Sequence, residues 1–229
     1  MMKCAICKCI GRYHEENNGV CQDSISKYKN DDKYCVVLAD GAGSIKNSEE
    51  AANYVTNVLS KYLSDNFERL YLMEEDDIKD DVLNYLNINS NVLLNCTCLA
   101  ICSTKDKNLI LHIGDGLILG YKDTWKLVSG PDNGEDDSIT FFLSSKYAKK
   151  HLRVYKDNYK LFFLCSDGLS SLIYNNNKIQ DAVNILSNWL IEYSEEDVEK
   201  KLLEECERLF KKYSYDDISF GILVKGEEG

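Results

Sequence analysis

Three Asp-Gly pairs end apolar runs in this 229-residue chain: Asp40-Gly41, Asp115-Gly116 and Asp167-Gly168. A fourth acidic pair, Asp216-Asp217, directly precedes an apolar run, and Asp23 lies near the start. Apolar runs of this length are typical of buried strands, and an Asp at the end of a strand lies where the sheet meets solvent. Carboxylates that converge there repel one another unless a cation lies between them, and oxygen ligands suit hard divalent cations. The pattern therefore predicts a Mg²⁺ or Mn²⁺ site at one edge of a sheet core.

Apolar and amphipathic segments predict the elements that hold these residues. Strands are predicted over residues 4–12, 24–28, 34–40, 97–103, 109–113, 117–121, 125–129, 140–143, 161–165 and 218–224. Helices are predicted over residues 47–66, 78–89, 179–191 and 195–213. Most strands follow one another without an intervening helix, so their pairing should be antiparallel. Residues 105–108 and 114–116 are expected to form the turns of two hairpins.

The order of these elements favours an α+β fold. Two mainly antiparallel sheets packed face to face, with helices outside, would form a four-layer α-β-β-α sandwich and bury the apolar faces. The chain is 44% hydrophobic and has no break in composition, so we expect a single domain over residues 1–229. An exposed loop is expected at 130–137, which contains the only Pro, and a frayed tail at 227–229.

Charge, apolar-segment length and cysteine content narrow the class of protein. The net charge is −11, and no basic stripe with interleaved aromatic residues points to nucleic acid as a partner. No run approaches the roughly 18 apolar residues of a membrane span, and the first residues lack the apolar core of a signal peptide. We therefore expect a cytoplasmic protein with no membrane partner. The ten cysteines are expected to be reduced core thiols rather than a zinc site.

Short blocks around the acidic residues occur in a recognisable order. They are Cys21-Gln22-Asp23, Ala39-Asp40-Gly41-Ala42-Gly43-Ser44, His112-Ile113-Gly114-Asp115-Gly116, Cys165-Ser166-Asp167-Gly168-Leu169 and Asp216-Asp217-Ile218-Ser219. Together they resemble the metal-dependent protein phosphatase 2C family, most closely its compact bacterial branch, over almost the whole chain. The resemblance implies a double antiparallel β-sandwich flanked by helices. It also implies hydrolysis of phosphoserine and phosphothreonine in proteins, with two Mn²⁺ or Mg²⁺ ions as cofactors, and a phosphorylated protein and its Ser/Thr kinase as partners.

The same resemblance assigns metal ligands in this chain. It implies that Asp40 bridges both ions and that the Gly41 carbonyl binds one of them. Asp167 and Asp216 hold the first ion, while Asp23 acts on the second, directly or through water. Two ions about 3.5–4 Å apart can lower the pKa of a shared water, which then attacks phosphorus in line.

Two residues keep an alternative interpretation. By the resemblance Asp115 binds a weaker third ion together with Asp167, although it could simply cap a hairpin. Eight residues separate His14 from Asp23, a spacing that resembles the compact bacterial branch. His14 could therefore contact phosphate or protonate the leaving group, or it could be a structural histidine. Where some family members have a His after the first Asp-Gly, this chain has Ala42.

Three functions remain open on the sequence alone, with an active phosphatase as the leading one. A catalytically weak relative that binds a phosphoprotein or regulatory partner is the alternative, because residues 15–19 lack the phosphate-gripping Arg of many family members. A two-metal hydrolase of small phosphorylated molecules is the third, because the interval between Gly116 and Ser166 leaves little room for the substrate-selecting flap of the family.

Overall fold

Ten strands and eight α-helices form within residues 2–134, 139–174 and 179–226, the parts of the chain that this computed structural model describes. The strands are β1 (Lys3–Cys9), β2 (Asp23–Asn30), β3 (Lys33–Asp40), β4 (Cys98–Ser103), β5 (Asn108–Ile113), β6 (Leu117–Tyr121), β7 (Trp125–Ser129), β8 (Arg153–Lys156), β9 (Leu161–Cys165) and β10 (Ile218–Val224). The helices are α1 (Arg12–Glu16), α2 (Ser48–Asp65), α3 (Phe67–Leu72), α4 (Glu75–Asn89), α5 (Ala148–His151), α6 (Asp167–Tyr174), α7 (Ile179–Glu192) and α8 (Glu195–Arg208).

The strands form two five-stranded sheets. The first sheet has the order β1-β10-β9-β6-β7, and the second has the order β2-β3-β4-β5-β8. Every pair of neighbouring strands in both sheets is antiparallel. The predicted pair of antiparallel sheets is therefore confirmed.

Three apolar layers hold the sheets and helices together. Successive side chains of a strand point to opposite faces, so β3 directs Val36 and Leu38 between the sheets and Cys35 and Val37 toward α2. The first sheet packs its outer face against α6 to α8 in the same way. Both faces of each sheet are covered, which explains the long apolar runs. Burying each large apolar side chain contributes about 1.5–3 kcal/mol to the free energy of unfolding. The result is the expected four-layer α-β-β-α sandwich.

The link Gly114-Asp115-Gly116 crosses from one sheet to the other, so the hairpin predicted there is wrong. β5 pairs with β4 and β8 in the second sheet, whereas β6 pairs with β7 and β9 in the first. Gly114 has a φ of +112°, and a Cβ at this position would lie 2.5 Å from Thr97 Cγ2. The glycine thus permits a sharp crossing that a larger residue would block.

Other local predictions were wrong in part. Residues 140–143 form no strand, because the N–H groups of Leu143 and Ser144 donate to carbonyls of the chain before β4. The strand predicted over 4–12 ends at Cys9, and the helix predicted over 195–213 ends at Arg208. The elements α1, α3, α5, α6 and β8 were not predicted. Residues 135–137 of the expected loop and the expected tail at 227–229 lie outside the described residues.

The state of the cysteines and the length and apolar character of the helices can also be compared with the sequence. All ten cysteines are free thiols, and nine of them are buried. Among the described helices, none combines the length and apolar character that a membrane crossing requires.

Candidate metal centre

Two acidic residues from neighbouring strands of the second sheet lie opposite each other. Asp40 ends β3, Asp23 begins β2, and the antiparallel register pairs them directly. Thr97 fixes the Asp40 backbone, since the Asp40 N–H donates to Thr97 Oγ1 at 2.9 Å and the Thr97 N–H donates to the Asp40 carbonyl at 2.8 Å. A Cβ on Gly41 would lie 2.8 Å from the backbone carbonyl of Ser48, so this turn requires glycine. The strand register therefore brings the two carboxyl groups together.

The first sheet supplies two more acidic residues. Asp167 follows β9 and begins α6, and Asp216 lies just before β10. Because β9 and β10 are antiparallel neighbours, the end of one and the start of the other lie at the same edge. A Cβ on Gly168 would lie 2.0 Å from the Asp217 carbonyl oxygen, so glycine permits the close approach of these two connections.

Asp40, Asp115 and Asp167 form a group that we call the oxygen cluster. Each residue offers a carboxylate oxygen, and the three oxygens lie within 4.8 Å of one another. Thr140 Oγ1 donates a hydrogen bond of 2.6 Å to Asp115 Oδ2, while Asp115 Oδ1 is buried and has no hydrogen-bond partner among the described residues. A buried acceptor without a donor fits the role of a cation ligand. Three of the predicted ligands are thus brought together from both sheets and from their crossing.

Asp216 belongs to a second group, with His14 and Asp217. One donor atom from each of these three residues lies within 4.8 Å of the other two. The resemblance implies that Asp216 shares an ion with Asp167, and in the structure its carboxylate groups with His14 and Asp217 rather than with all three residues of the oxygen cluster. Its charge still reaches the oxygen cluster, because burial and then repulsion from several carboxylates, including Asp216, raise the pKa values of Asp40 and Asp167.

Asp23 lies deeper than the other acidic residues and is 1% exposed. Ser166 Oγ donates a hydrogen bond of 2.8 Å to Asp23 Oδ2 and accepts one of 3.1 Å from the Ser219 N–H. Burial, followed by repulsion from Asp217, raises the pKa of Asp23 to about 7. Asp23 therefore adds to the concentration of acidic groups next to Asp40.

The electrostatics of the site are those of carboxyl groups without cationic partners. Burial, followed by repulsion from Asp115, raises the pKa of Asp167 to about 8. The pKa of Asp40 is raised well above its usual range by burial and then by Asp23, and burial also raises the pKa of Asp216. Within the described parts of the chain, no Lys or Arg forms an ion pair with these groups.

This donor set fits hard divalent cations. All donors of the oxygen cluster are carboxylate oxygens, the ligands that Mg²⁺ and Mn²⁺ favour, and none of the possible metal groups in the described residues contains a cysteine. Bound cations would also remove the repulsion that raises these pKa values.

Sequence reasoning did not anticipate the role of Asp217. Asp217 Oδ1 accepts the Gly11 N–H at 2.6 Å, and Oδ2 accepts the Gln22 N–H at 2.7 Å. Its side chain is only 3% exposed, and Oδ2 also lies 3.0 Å from His14 Nδ1. One carboxylate thus fixes both ends of the segment that carries His14.

Two further polar residues were missed. Thr140 holds Asp115, and Gln22 donates from Nε2 to Ser48 Oγ at 2.9 Å while its Oε1 is buried without a partner among the described residues. The only sequence signal for Gln22 was its position before Asp23. No local signal marked Thr140, because it lies in a connection 25 residues from Asp115.

Comparisons with known proteins agree with this geometry. The model of the family described as protein phosphatase 2C matches residues 10–205. No curated protein sequence matches the chain. Among solved structures, the serine/threonine phosphatase Stp1 from Staphylococcus aureus is 16% identical with a TM-score of 0.64, covering 100% of this chain and 96% of its own.

Two other solved structures contain metals according to their descriptions. The catalytic domain of the serine/threonine protein phosphatase PstP, in complex with two manganese ions, is 16% identical with a TM-score of 0.64, and 97% of each chain is covered. RsbX in complex with magnesium is 14% identical with a TM-score of 0.60, covering 97% of this chain and 94% of its own. At these identities the likeness establishes the fold.

Proposed function

The chain belongs to the protein phosphatase 2C family, and from this membership we propose how its residues serve the metal-dependent dephosphorylation of phosphoserine and phosphothreonine in proteins. The single observation that carries the proposal is the convergence of carboxylates from both sheets, three of them within 4.8 Å. An arrangement this repulsive is stable only with cations or protons between the carboxyl groups. We propose that two Mn²⁺ or Mg²⁺ ions take this place, with a weaker third.

Each acidic residue has a proposed part in holding these ions. Asp40 would bridge them, because it pairs with Asp23 in the strand register and its carboxylate lies within 4.8 Å of those of Asp115 and Asp167. Asp167 and Asp216 would hold the first ion, Asp23 would support the second, and Asp115 would complete the weaker third site with Asp167. The backbone carbonyl of Gly41 adds an oxygen without adding charge. When bound, such ions neutralise phosphoryl oxygens and lower the pKa of a water molecule for attack on phosphorus.

His14 is proposed to act on the substrate. Its Nδ1 faces Asp217, so the other ring nitrogen, Nε2, remains for phosphate or for the leaving oxygen. Proton transfer by a positioned histidine requires that its ring be held in one orientation. The carboxylate of Asp217, whose Oδ2 lies 3.0 Å from Nδ1 without the alignment of a hydrogen bond, is proposed to help hold the ring in that orientation.

The natural context follows from this chemistry. The substrate is a phosphorylated protein, and a Ser/Thr kinase must supply it, because the reaction consumes phosphate esters of serine and threonine. We also propose that the enzyme is one catalytic domain over residues 1–229 and works in the cytoplasm. Ligands from both sheets meeting at one centre support the single domain, and ten unpaired thiols suit a reducing compartment.

A direct assay tests this proposal. The purified chain should release phosphate from a phosphothreonine peptide when Mn²⁺ is added, and EDTA should stop the release. Peptide binding without phosphate release would instead favour the catalytically weak alternative. Turnover of small phosphate esters but of no phosphopeptide would contradict a protein substrate.

A further inference from the structure

A charged cleft borders helix α1, the helix that carries His14, and none of its lining residues belongs to the possible metal groups. It has a volume of about 380 Å³ and is lined by Arg12, Glu15, Glu207, Lys211 and Lys212; we call it the Arg12 cleft. Arg12 belongs to α1, two residues before His14. The backbone of this helix is joined to the chain before Asp216, since the Tyr13 N–H donates to the Tyr215 carbonyl at 2.9 Å. The cleft therefore borders the two segments that carry His14 and Asp216.

The charges of the Arg12 cleft favour an anion. Lys211 pairs with Glu15 at 2.9 Å, which neutralises one cation. Within the described residues no carboxylate pairs with Arg12 or with Lys212, so two cations face only Glu207. The whole chain carries a net charge of −11, so a basic cleft stands out from its surroundings. A local positive potential on an acidic protein selects among anionic partners.

Arg12 is held in a geometry suited to a carboxylate. Its Nε donates to the Ser214 carbonyl at 3.3 Å, and its guanidinium carbon lies 4.7 Å from the centre of the Tyr215 ring. The backbone bond and the aromatic ring fix the plane of the guanidinium group and leave its terminal nitrogens for a ligand. A fixed guanidinium plane binds a carboxylate through two parallel hydrogen bonds.

An exposed tyrosine lies against Arg12, and a second follows Lys212 in the sequence. Tyr215, whose ring lies against Arg12, is 54% exposed, and Tyr213, which follows Lys212 in the sequence, is 73% exposed. Exposed tyrosines beside a fixed Arg are typical of surfaces that bind polypeptide. The occupant therefore combines peptide backbone with carboxylate groups.

We propose that the Arg12 cleft binds acidic side chains that flank the phosphorylated residue of the protein substrate. This inference rests on the proposed function, and it adds a preference for phosphorylation sites in acidic segments. The phosphate ester enters the metal centre, while a neighbouring Asp or Glu of the same segment pairs with Arg12 and Lys212. Small phosphate esters cannot reach the cleft and gain nothing from it.

Three substrates test the proposal: p-nitrophenyl phosphate, a phosphothreonine peptide flanked on both sides by glutamates, and the same peptide with glutamines. With Mn²⁺ present, kcat/KM should be higher for the glutamate peptide than for the glutamine peptide. Lys212→Gln and Arg12→Gln should each reduce this preference about two- to fivefold, mainly through KM, because an exposed ion pair contributes little. Neither variant should change kcat/KM for p-nitrophenyl phosphate. Lys126→Gln, which removes an exposed lysine on β7, is the matched control and should change nothing.

The outcomes separate the two proposals. Equal rates for both peptides, with normal turnover of p-nitrophenyl phosphate, would overturn the proposed role of the Arg12 cleft. They would not affect the proposed phosphatase function. An equal loss of preference in Lys126→Gln would also overturn it, because net charge alone would then explain the selectivity. Absence of turnover of all three substrates would overturn both. If Arg12→Gln lowers stability, the Lys212→Gln variant decides between the outcomes. The Lys212 side chain has no hydrogen-bond or ion-pair partner among the described residues, so its substitution breaks no such contact.

Discussion

Asp217 lies 3.0 Å from His14, Oδ2 to Nδ1, across a sequence separation of about two hundred residues. His14→Gln should lower kcat for a phosphothreonine peptide by about a hundredfold, since a positioned acid contributes roughly that much. The loss should be much smaller for p-nitrophenyl phosphate, whose leaving group departs without a proton. Steady-state kinetics on both substrates measure this difference. Equal losses on the two substrates would mean that His14 does not protonate the leaving group.

Asp217→Asn tests whether the carboxylate positions His14. Asparagine retains one acceptor oxygen, so it can satisfy only one of the Gly11 and Gln22 N–H groups fully. We expect a lower melting temperature and the same selective loss on the phosphopeptide as in His14→Gln. The double variant should be no slower than either single variant. Additive losses in kcat would contradict a shared role.

Asp40→Asn and Asp167→Asn should each lower turnover more than about a hundredfold, because the ions lose an anionic ligand. Without metal, the same variants should melt at a higher temperature than the parent, because each removes a buried carboxyl group from a repulsive cluster. Differential scanning fluorimetry with EDTA measures this effect. Asp76→Asn, on the exposed face of α4, is the matched control. Near-normal turnover in either variant would refute the assigned ligands.

The stability of the metal-free chain should depend on pH in a defined direction. The pKa values of Asp23 and Asp167 are raised to about 7 and about 8, so the folded state holds protons that the unfolded state releases near pH 4. The contribution of these two groups to stability is therefore full below about pH 4. It decreases as pH rises from there through the folded-state pKa values of about 7 and about 8. Urea denaturation in EDTA at pH 5.5 and pH 8.5 should show a loss of about 1 kcal/mol or more. Millimolar Mn²⁺ should restore stability at pH 8.5, and an unchanged midpoint would count against the site.

Thr140→Val should weaken the ion next to Asp115. The variant loses the hydrogen bond of 2.6 Å to Asp115 Oδ2, and loss of a residue that orients a ligand costs about tenfold or more in metal affinity. The Mn²⁺ concentration for half-maximal activity should rise accordingly, with little change in KM for p-nitrophenyl phosphate. Thr140→Ser keeps the hydroxyl group and should behave as the parent. An equal effect of both variants would assign the change to packing of the loop.

The strand ends that carry Asp40, Asp167 and Asp216 could be predicted because an apolar run and its limits are local features of the sequence. The connection at Asp115 could not, because the residues of a tight hairpin turn and of a crossing between sheets are alike, and only the pairing of distant strands distinguishes them. The α6 helix was missed for a related reason, since Asp167-Gly168 reads locally as a turn.

The partners of the acidic residues were the hardest part to predict. Asp217 holds Gly11 and Gln22 across 206 and 195 residues, and no periodicity links such positions. Thr140 begins an apolar segment that predicted a strand, although the N–H groups of Leu143 and Ser144 donate to the chain before β4. The partners of the acidic residues are therefore set by tertiary contacts of polar groups, which local sequence patterns do not reveal.

The crossing at Gly114-Asp115-Gly116 has a mechanical consequence. Asp23 and Asp40 belong to one β-layer, Asp167 and Asp216 to the other, and Asp115 lies on the crossing between them, so ions bound among them would tie the two halves of the sandwich together. Sliding of one sheet against the other would break the link through the metal ions. Removal of the ions would therefore leave the two sheets free to shift. Amide exchange along Leu99 and Ile118, on the facing surfaces, should accordingly slow when Mn²⁺ is supplied.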